Sequence, residues 1–198
     1  MIVLMGLSAR DSGERADVRV KALTFRSFVT AVEKHGKRDA VLTRVPRDTA
    51  ALIESPPLPG SWMDLWTVWH IIQALEEIGG MPLVREVSRQ ATDDARRPYM
   101  RIVDSVLKMF GTSPATLFKR MNSLVSSIIE GVTFRYTVLS ERSGVMDVEW
   151  EADYEMPACE FVGLVPTFQT LLSACGAKGV VGTPERTGPN KARYAIQW

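Results

Sequence analysis

The run Val132-Thr133-Phe134-Arg135-Tyr136-Thr137-Val138, a turn through Glu141-Arg142-Ser143-Gly144, and the run Met146-Asp147-Val148-Glu149-Trp150 decide the fold. Val132, Phe134, Tyr136 and Val138 alternate with Thr133, Arg135 and Thr137. Met146, Val148 and Trp150 alternate with Asp147, Glu149 and Glu151. A period of two puts apolar side chains on one face of a strand and polar ones on the other. With a polar, glycine-containing turn between them, the two runs make a half-buried antiparallel hairpin.

Downstream, Phe161, Leu164, Val165, Phe168, Leu171 and Leu172 return to helical spacing, and Gly176 closes the run. A last hairpin follows: Val180-Val181, a turn at Thr187-Gly188-Pro189-Asn190, then Tyr194, Ile196 and Trp198 in alternation. Upstream the period is helical throughout. After a polar start at Ser8 to Asp17, read as frayed, Phe25, Phe28, Val29 and Val32 share one face up to Gly36. Short helical stretches around Val41 and Leu52 stop at Pro46 and at the Pro56-Pro57-Leu58-Pro59-Gly60 loop.

Ser61, three residues before Asp64, reads as the cap of a broadly apolar helix that carries Trp62, Leu65, Trp66, Trp69 and Ile72 and ends at Gly79-Gly80. Pro82 suits the first turn of the next helix. Pro98 divides it from one carrying Tyr99, Ile102, Val103, Val106 and Phe110, which Gly111 closes. Ser113-Pro114 opens a further helix with Leu117, Met121, Leu124 and Ile128 in one stripe up to Gly131.

The expectation is therefore a single α+β domain over 1–198, helical over about 18–131 and ββαββ over about 132–198, with a long helix on one face of a four-stranded antiparallel sheet. With 45% hydrophobic residues the chain is able to bury one sizeable core.

Its 24 basic and 23 acidic residues are interspersed and leave a net charge of +1, so the footprint of a nucleic-acid binder is missing. The densest basic run, Arg85 to Arg101, is interrupted by Glu86, Asp93 and Asp94. Cys159 and Cys175 have no further Cys or His at ligand spacing, so no metal site is expected, and they read as buried thiols of a reducing compartment. Met1 to Met5 lacks the basic flank and length of a secretory signal, and no apolar run reaches the ~20 residues of a membrane span. A cytoplasmic location follows as an expectation.

Catalytic signatures are absent: no Gly-x-Ser-x-Gly, phosphate loop or dinucleotide fingerprint occurs. Glu76-Glu77 and Asp93-Asp94 are adjacent pairs, which a helix splays by ~100°. Binding is thus expected rather than catalysis. Trp62, Trp66 and Trp69 recur at helical spacing and suit either core packing or the aromatic wall of a pocket or interface. His70, beside Trp69, is either a hydrogen-bonded core residue or a ligand-facing one. Arg142, like Arg135, suits an anionic ligand or a solvent face.

Three stretches carry a resemblance: Val20 to Phe28, Leu52 to Pro56 with Trp62 beyond it, and Ala192 to Trp198. With the order of helices first and ββαββ last, they resemble the superfamily of haem-based nitric-oxide-sensing domains, four-vinyl-reductase-like ligand-binding domains and TRAPP vesicle-tethering subunits. More narrowly, the chain is similar to a paralogous family of chains of roughly 200 residues expanded in myxobacteria. The resemblance implies a ligand-binding or sensory domain acting in signalling. Its alternative implication is a homodimeric scaffold or adaptor for a signalling or trafficking partner.

In the haem sensors an axial imidazole stands on the helix before the first hairpin, and a Tyr-x-Ser-x-Arg signature on the next strand holds the propionates. Here Val125 stands at the ligand position, and Val138-Leu139-Ser140-Glu141-Arg142 keeps only Ser140 and Arg142 of the signature. The expectation is a haem-free domain with no cofactor and no metal, whose small apolar or amphipathic ligand meets Trp62, Trp66, Trp69, His70 and Arg142.

Overall fold

The computed structural model describes residues 18–110, 113–151 and 155–198, so the polar start at 8–17 and the Gly111 stop lie outside the described residues. Strand β1 (Arg19–Lys21) leads directly into α1 (Ala22–Lys34), which buries Phe25, Val29 and Val32 and ends before Gly36, at φ 64°. Helices α2 (Arg38–Leu42) and α3 (Arg47–Glu54) are short, divided at Pro46, and the Pro-rich loop returns the chain to β1.

Trp62 does not start a helix. It opens β2 (Trp62–Asp64), which pairs antiparallel with β1. Helix α4 (Trp66–Phe110) begins after it, and the cap is Asp64, whose Oδ1 accepts the Trp66 N–H at 2.8 Å. The sheet pairing takes up the backbone groups that a helix at Ser61 would have used, and the carboxylate serves the first free N–H.

Helix α4 is broken at Gly80 (φ 66°, ψ −170°), a conformation only glycine adopts without strain. The backbone stays helical through Pro98, against expectation. Ala91, Ala95, Val103 and Leu107 bury one face of this limb, and that packing outweighs the one hydrogen bond a proline removes. The side chains of Tyr99, Ile102, Val106 and Phe110 lie outside the described residues.

The stripe from Leu117 to Ile128 is not one helix either. It divides into α5 (Pro114–Lys119) and α6 (Met121–Val125), and then Ile129–Glu130 (β3) pairs with β1. Ser113 makes no side-chain cap. The result is a three-stranded sheet, order β2-β1-β3, inside the part read as helical. Gly131, at φ 78°, turns the chain into the hairpin, where Val18 leaves little room for a side chain.

The hairpin forms as read, β4 (Val132–Ser140) against β5 (Ser143–Trp150), with Phe134 opposite Val148. Along β5 the inward residues Met146, Val148 and Trp150 are buried. The expected long helix is two, α7 (Ala158–Gly163) and α8 (Val165–Ala174), because Pro166 in the first turn of α8 cannot continue the hydrogen-bond ladder of α7.

Strands β6 (Val180–Val181) and β7 (Glu185–Gly188) both pair with β8 (Lys191–Gln197). The main sheet is therefore five-stranded and antiparallel, with the path β4-β5-β8-β6, where four strands were expected. Trp69, Phe25, Phe118, Phe168 and Tyr194 are fully buried between the helices and this sheet. Two amides tie the layers together. Asn122 holds the Phe134 N–H and carbonyl, both at 2.8 Å, and Gln169 donates to the Gly179 carbonyl at 2.8 Å and accepts from the Val181 N–H at 3.3 Å.

Candidate functional site

A cavity of about 200 Å³ lies where α1, α4, α6, α7 and α8 converge on β4 and β5. The same helical period that fills the core brings Phe28 of α1, Ile72 and Val103 of α4, and Leu124 of α6 to its wall, and Phe134 and Trp150 face it from the sheet. Two hydroxyls on the wall, those of Ser27 and Thr92, are turned back into their own helices. Ser27 donates to the Leu23 carbonyl at 2.9 Å and Thr92 to the Ser88 carbonyl at 2.8 Å. What those residues offer the cavity is mainly carbon.

Two polar atoms on the wall differ. Glu160, on α7, is 6% exposed, and its Oε2 has no hydrogen-bond partner. Burial pushes its carboxyl up to about 7, while the Trp69 indole approaches as a donor and pulls the other way. Trp150, 2% exposed at the end of β5, has an indole Nε1 that is likewise buried without a partner.

Neighbouring titratable groups stay neutral. The Tyr194 hydroxyl donates to the Phe161 carbonyl at 2.8 Å, and its ionisation is pushed up by burial and then by Glu160. Cys159 is raised to about 12 by burial and by Glu76, and Cys175 to about 11 by burial, so neither thiol is a ready thiolate.

Only two histidines exist in the chain. His35 ends α1, its Nδ1 3.9 Å from Glu86. His70 Nδ1 shares a 2.8 Å hydrogen bond with Thr49, and the ring stacks on Trp66. Neither lines the cavity, whereas Val125 does. Among the described residues no Lys or Arg is on its wall, and no group of three His, Cys, Asp or Glu is placed to hold a metal.

No protein-family model matches the chain, and no curated protein does. Solved structures do. An H-NOX protein from S. oneidensis in the Fe(II)NO ligation state superposes with TM-score 0.62 at 10% identity, over 89% of this chain and 98% of that one. The Fe(II) unliganded H-NOX protein from K. algicida gives 0.60 at 12% identity, over 89% and 95%. An oxygen-binding H-NOX domain related to soluble guanylate cyclases gives 0.58 at 11%, over 89% and 94%. The fold is H-NOX-like.

Within this H-NOX-like frame, the five residues singled out in the sequence do not form one site. Trp66, Trp69 and His70 do come together on α4, Trp66 packing edge-on against Trp69 with ring centroids 4.7 Å apart. They stand behind the cavity wall rather than on it. Trp62 lies on β2 with the Lys21 ammonium 3.8 Å from its ring centroid. Arg142 is exposed in the β4–β5 turn, where its carbonyl accepts the Trp198 N–H at 3.0 Å.

Glu160 was missed, although a signal exists. It is the one carboxylate on the stripe it forms with Gly163, Leu164, Thr167, Phe168 and Leu171, all of which line the cavity. Trp150 was seen only as an inward strand residue. Among the described residues no helix is long and apolar enough to cross a membrane.

Proposed function

We propose that this chain is a haem-free sensory domain that binds a small apolar or amphipathic molecule in the cavity between its helices and its sheet. The observation that carries the reading is an apolar chamber in an H-NOX-like fold with no imidazole on its wall. Haem iron is held by an axial side chain, most often His, sometimes Cys thiolate or Tyr. Here both histidines are engaged elsewhere and Val125 offers an isopropyl group. Cys159 is raised away from thiolate, and Tyr136, raised to about 12, is not on the wall. Among the described residues, none on the wall fits the axial position of a haem.

Size narrows the ligand. A dry cavity of about 150 Å³ takes benzene, and pockets for drug-sized molecules begin at about 300 Å³. A chamber of about 200 Å³ suits a molecule between those limits. Because five helices and four strands share the wall, occupancy stabilises their common packing, and a change in that packing is the signal a sensory module transmits. The domain acts by binding: the two thiols are raised and no histidine stands beside the cavity.

Methyl-labelled protein titrated with toluene tests the reading by NMR. Saturable shifts are expected at Ile72, Leu124 and Val125, with no haem absorption band in protein expressed with haem precursor. Unmoved methyls refute the chamber, and stoichiometric haem refutes the haem-free assignment.

A further inference from the structure

The chamber lies on one face of the main sheet, and the other face is open: along β8, Lys191, Arg193, Ala195 and Gln197 are exposed while the residues between them are buried. Directly opposed residues of an antiparallel pair point to the same side. One row across this face therefore runs Arg135 on β4, Asp147 on β5, Arg193 on β8 and Glu185 on β7, alternating in charge. The row beside it sets Glu149 of β5 against Lys191 of β8. Towards the other end the face turns apolar. Val145 is opposite Ala195, and beyond them Leu139, at the bulge beside Ser143, and Val180, on β6, stand at the two corners, 66% and 67% exposed.

These rows are complementary to themselves. A two-fold axis parallel to the strands, between β5 and β8, lays β5 over β8 of a second copy and β4 over its β7 and β6. Asp147 then meets Arg193, Arg135 meets Glu185, Glu149 meets Lys191, Val145 meets Ala195 and Leu139 meets Val180, each contact made twice as in any isologous interface. An axis perpendicular to the strands fails, because it sets each charge of a row on its own copy, or Asp147 on Glu149 and Arg193 on Lys191. Cross-strand pairing within one chain accounts for the alternation of charge. It does not account for a large apolar side chain left in water at each corner.

We propose that this face is the interface of a homodimer, two sheets packed in the aligned manner of a sandwich. The ion pairs Arg135–Glu149, Lys191–Glu149 and Arg193–Asp147, at 2.8, 2.7 and 2.8 Å, already hold the long side chains in place, which lowers the entropy lost on docking. The cations and anions of the rows balance, so the copies do not repel. Strands about 4.8 Å apart, with the seven residues of β8 at about 3.4 Å each, give a face of roughly 450 Å². About 800 Å² a partner is usual in a stable complex, so this dimer is weak, micromolar rather than nanomolar, and its charged layer loosens as salt rises. The interface does not depend on what fills the chamber.

Sedimentation equilibrium of the purified chain, up to millimolar concentration and at low and high salt, tests it. A reversible monomer–dimer equilibrium is expected, weaker in high salt. Leu139→Asp and Val180→Lys should each weaken it by about tenfold or more, because each sets a lone charge against an apolar corner twice. Mixed in equal amounts, the two variants should recover most of the parent's affinity, since one corner then pairs opposite charges and the other keeps its leucine–valine contact. Thermal melts show which variants fold. If either does not, Arg135→Glu and Glu185→Arg, each repelling its own copy and attracting the other, serve the same mixing test. A monomer at every concentration, or a dimer that these substitutions leave as tight, overturns the proposal. So does a mixture as weak as its components, the result for a dimer built on another axis.

Discussion

Glu160 makes the stability of this protein depend on pH in a direction opposite to that of most carboxylates. In the folded chain burial holds its carboxyl neutral up to about 7, whereas the unfolded chain loses that proton near 4.5. Between those values the folded state carries the extra proton, so stability falls as pH rises and the loss is complete above about 7. A gap of that width corresponds to about 3 kcal/mol. Glu160→Gln removes the titration and keeps the shape. The variant is therefore expected to match the parent at about pH 4.5 and to exceed it by about 3 kcal/mol well above 7. The nearest titratable neighbours, Cys159 and Tyr194, lose protons well above this window, and Glu76 meets Cys159 rather than Glu160. They leave the difference between the two proteins untouched. Urea denaturation of both proteins across this range, with linear extrapolation, reads it directly. A difference that stays constant with pH refutes the burial of Glu160 in an apolar wall.

Four further outcomes are expected. Trp69→Ala should cost about 3–5 kcal/mol by urea denaturation, as for a large buried side chain, and Trp66→Ala less, because Trp66 is only half-buried. Gly80→Ala should lower stability by roughly 1–3 kcal/mol, since alanine is strained at that φ and ψ, and a differential melt detects it. Asn122→Ala strands the N–H and carbonyl of Phe134 and should cost about 2 kcal/mol in the same assay. Truncation before Lys191 removes β8, to which β5, β6 and β7 all pair, and should abolish the cooperative thermal transition.

The parts of the fold that were legible are those whose signal is local. The β4–β5 hairpin announces itself by alternation over eight residues or more of each strand, and α1 by Phe25, Val29 and Val32. Strands β1, β2 and β3 have three residues or fewer each, too short for a period, and form through pairings between segments far apart in the chain, Arg19 standing opposite Asp64 on one side and Glu130 on the other. The same pairing took Trp62 off the helix that its spacing suggested. Helix breaks at Pro98 and Leu164 went the other way from expectation because tertiary packing, not the proline alone, decides whether a turn continues. Of the site, Val125 was legible and does line the cavity. The chamber was not, since it arises only where segments far apart in the chain meet.

Orphaned polar atoms in an apolar wall are also informative about why the wall is built this way. A leucine at position 160 would remove the buried carboxylate, at the cost of the acceptor that the Trp69 indole approaches, and a phenylalanine at 150 would leave no unmet indole N–H. Above about pH 7, where burial opposes the ionised carboxyl, the apolar pair would make the more stable protein. Retaining Glu160 lowers the stability of the fold around the chamber, most of all above about pH 7 where the carboxyl ionises. The stabilisation gained on filling the chamber grows with the affinity and concentration of its ligand. A domain with a weakened empty state and a strongly stabilised filled one responds to occupancy over its whole core, because Glu160 is joined through Trp69 to α4 and through its own helix to Tyr194 and the sheet. On this reasoning the substitutions that make the protein most stable when empty are the ones that make it least responsive.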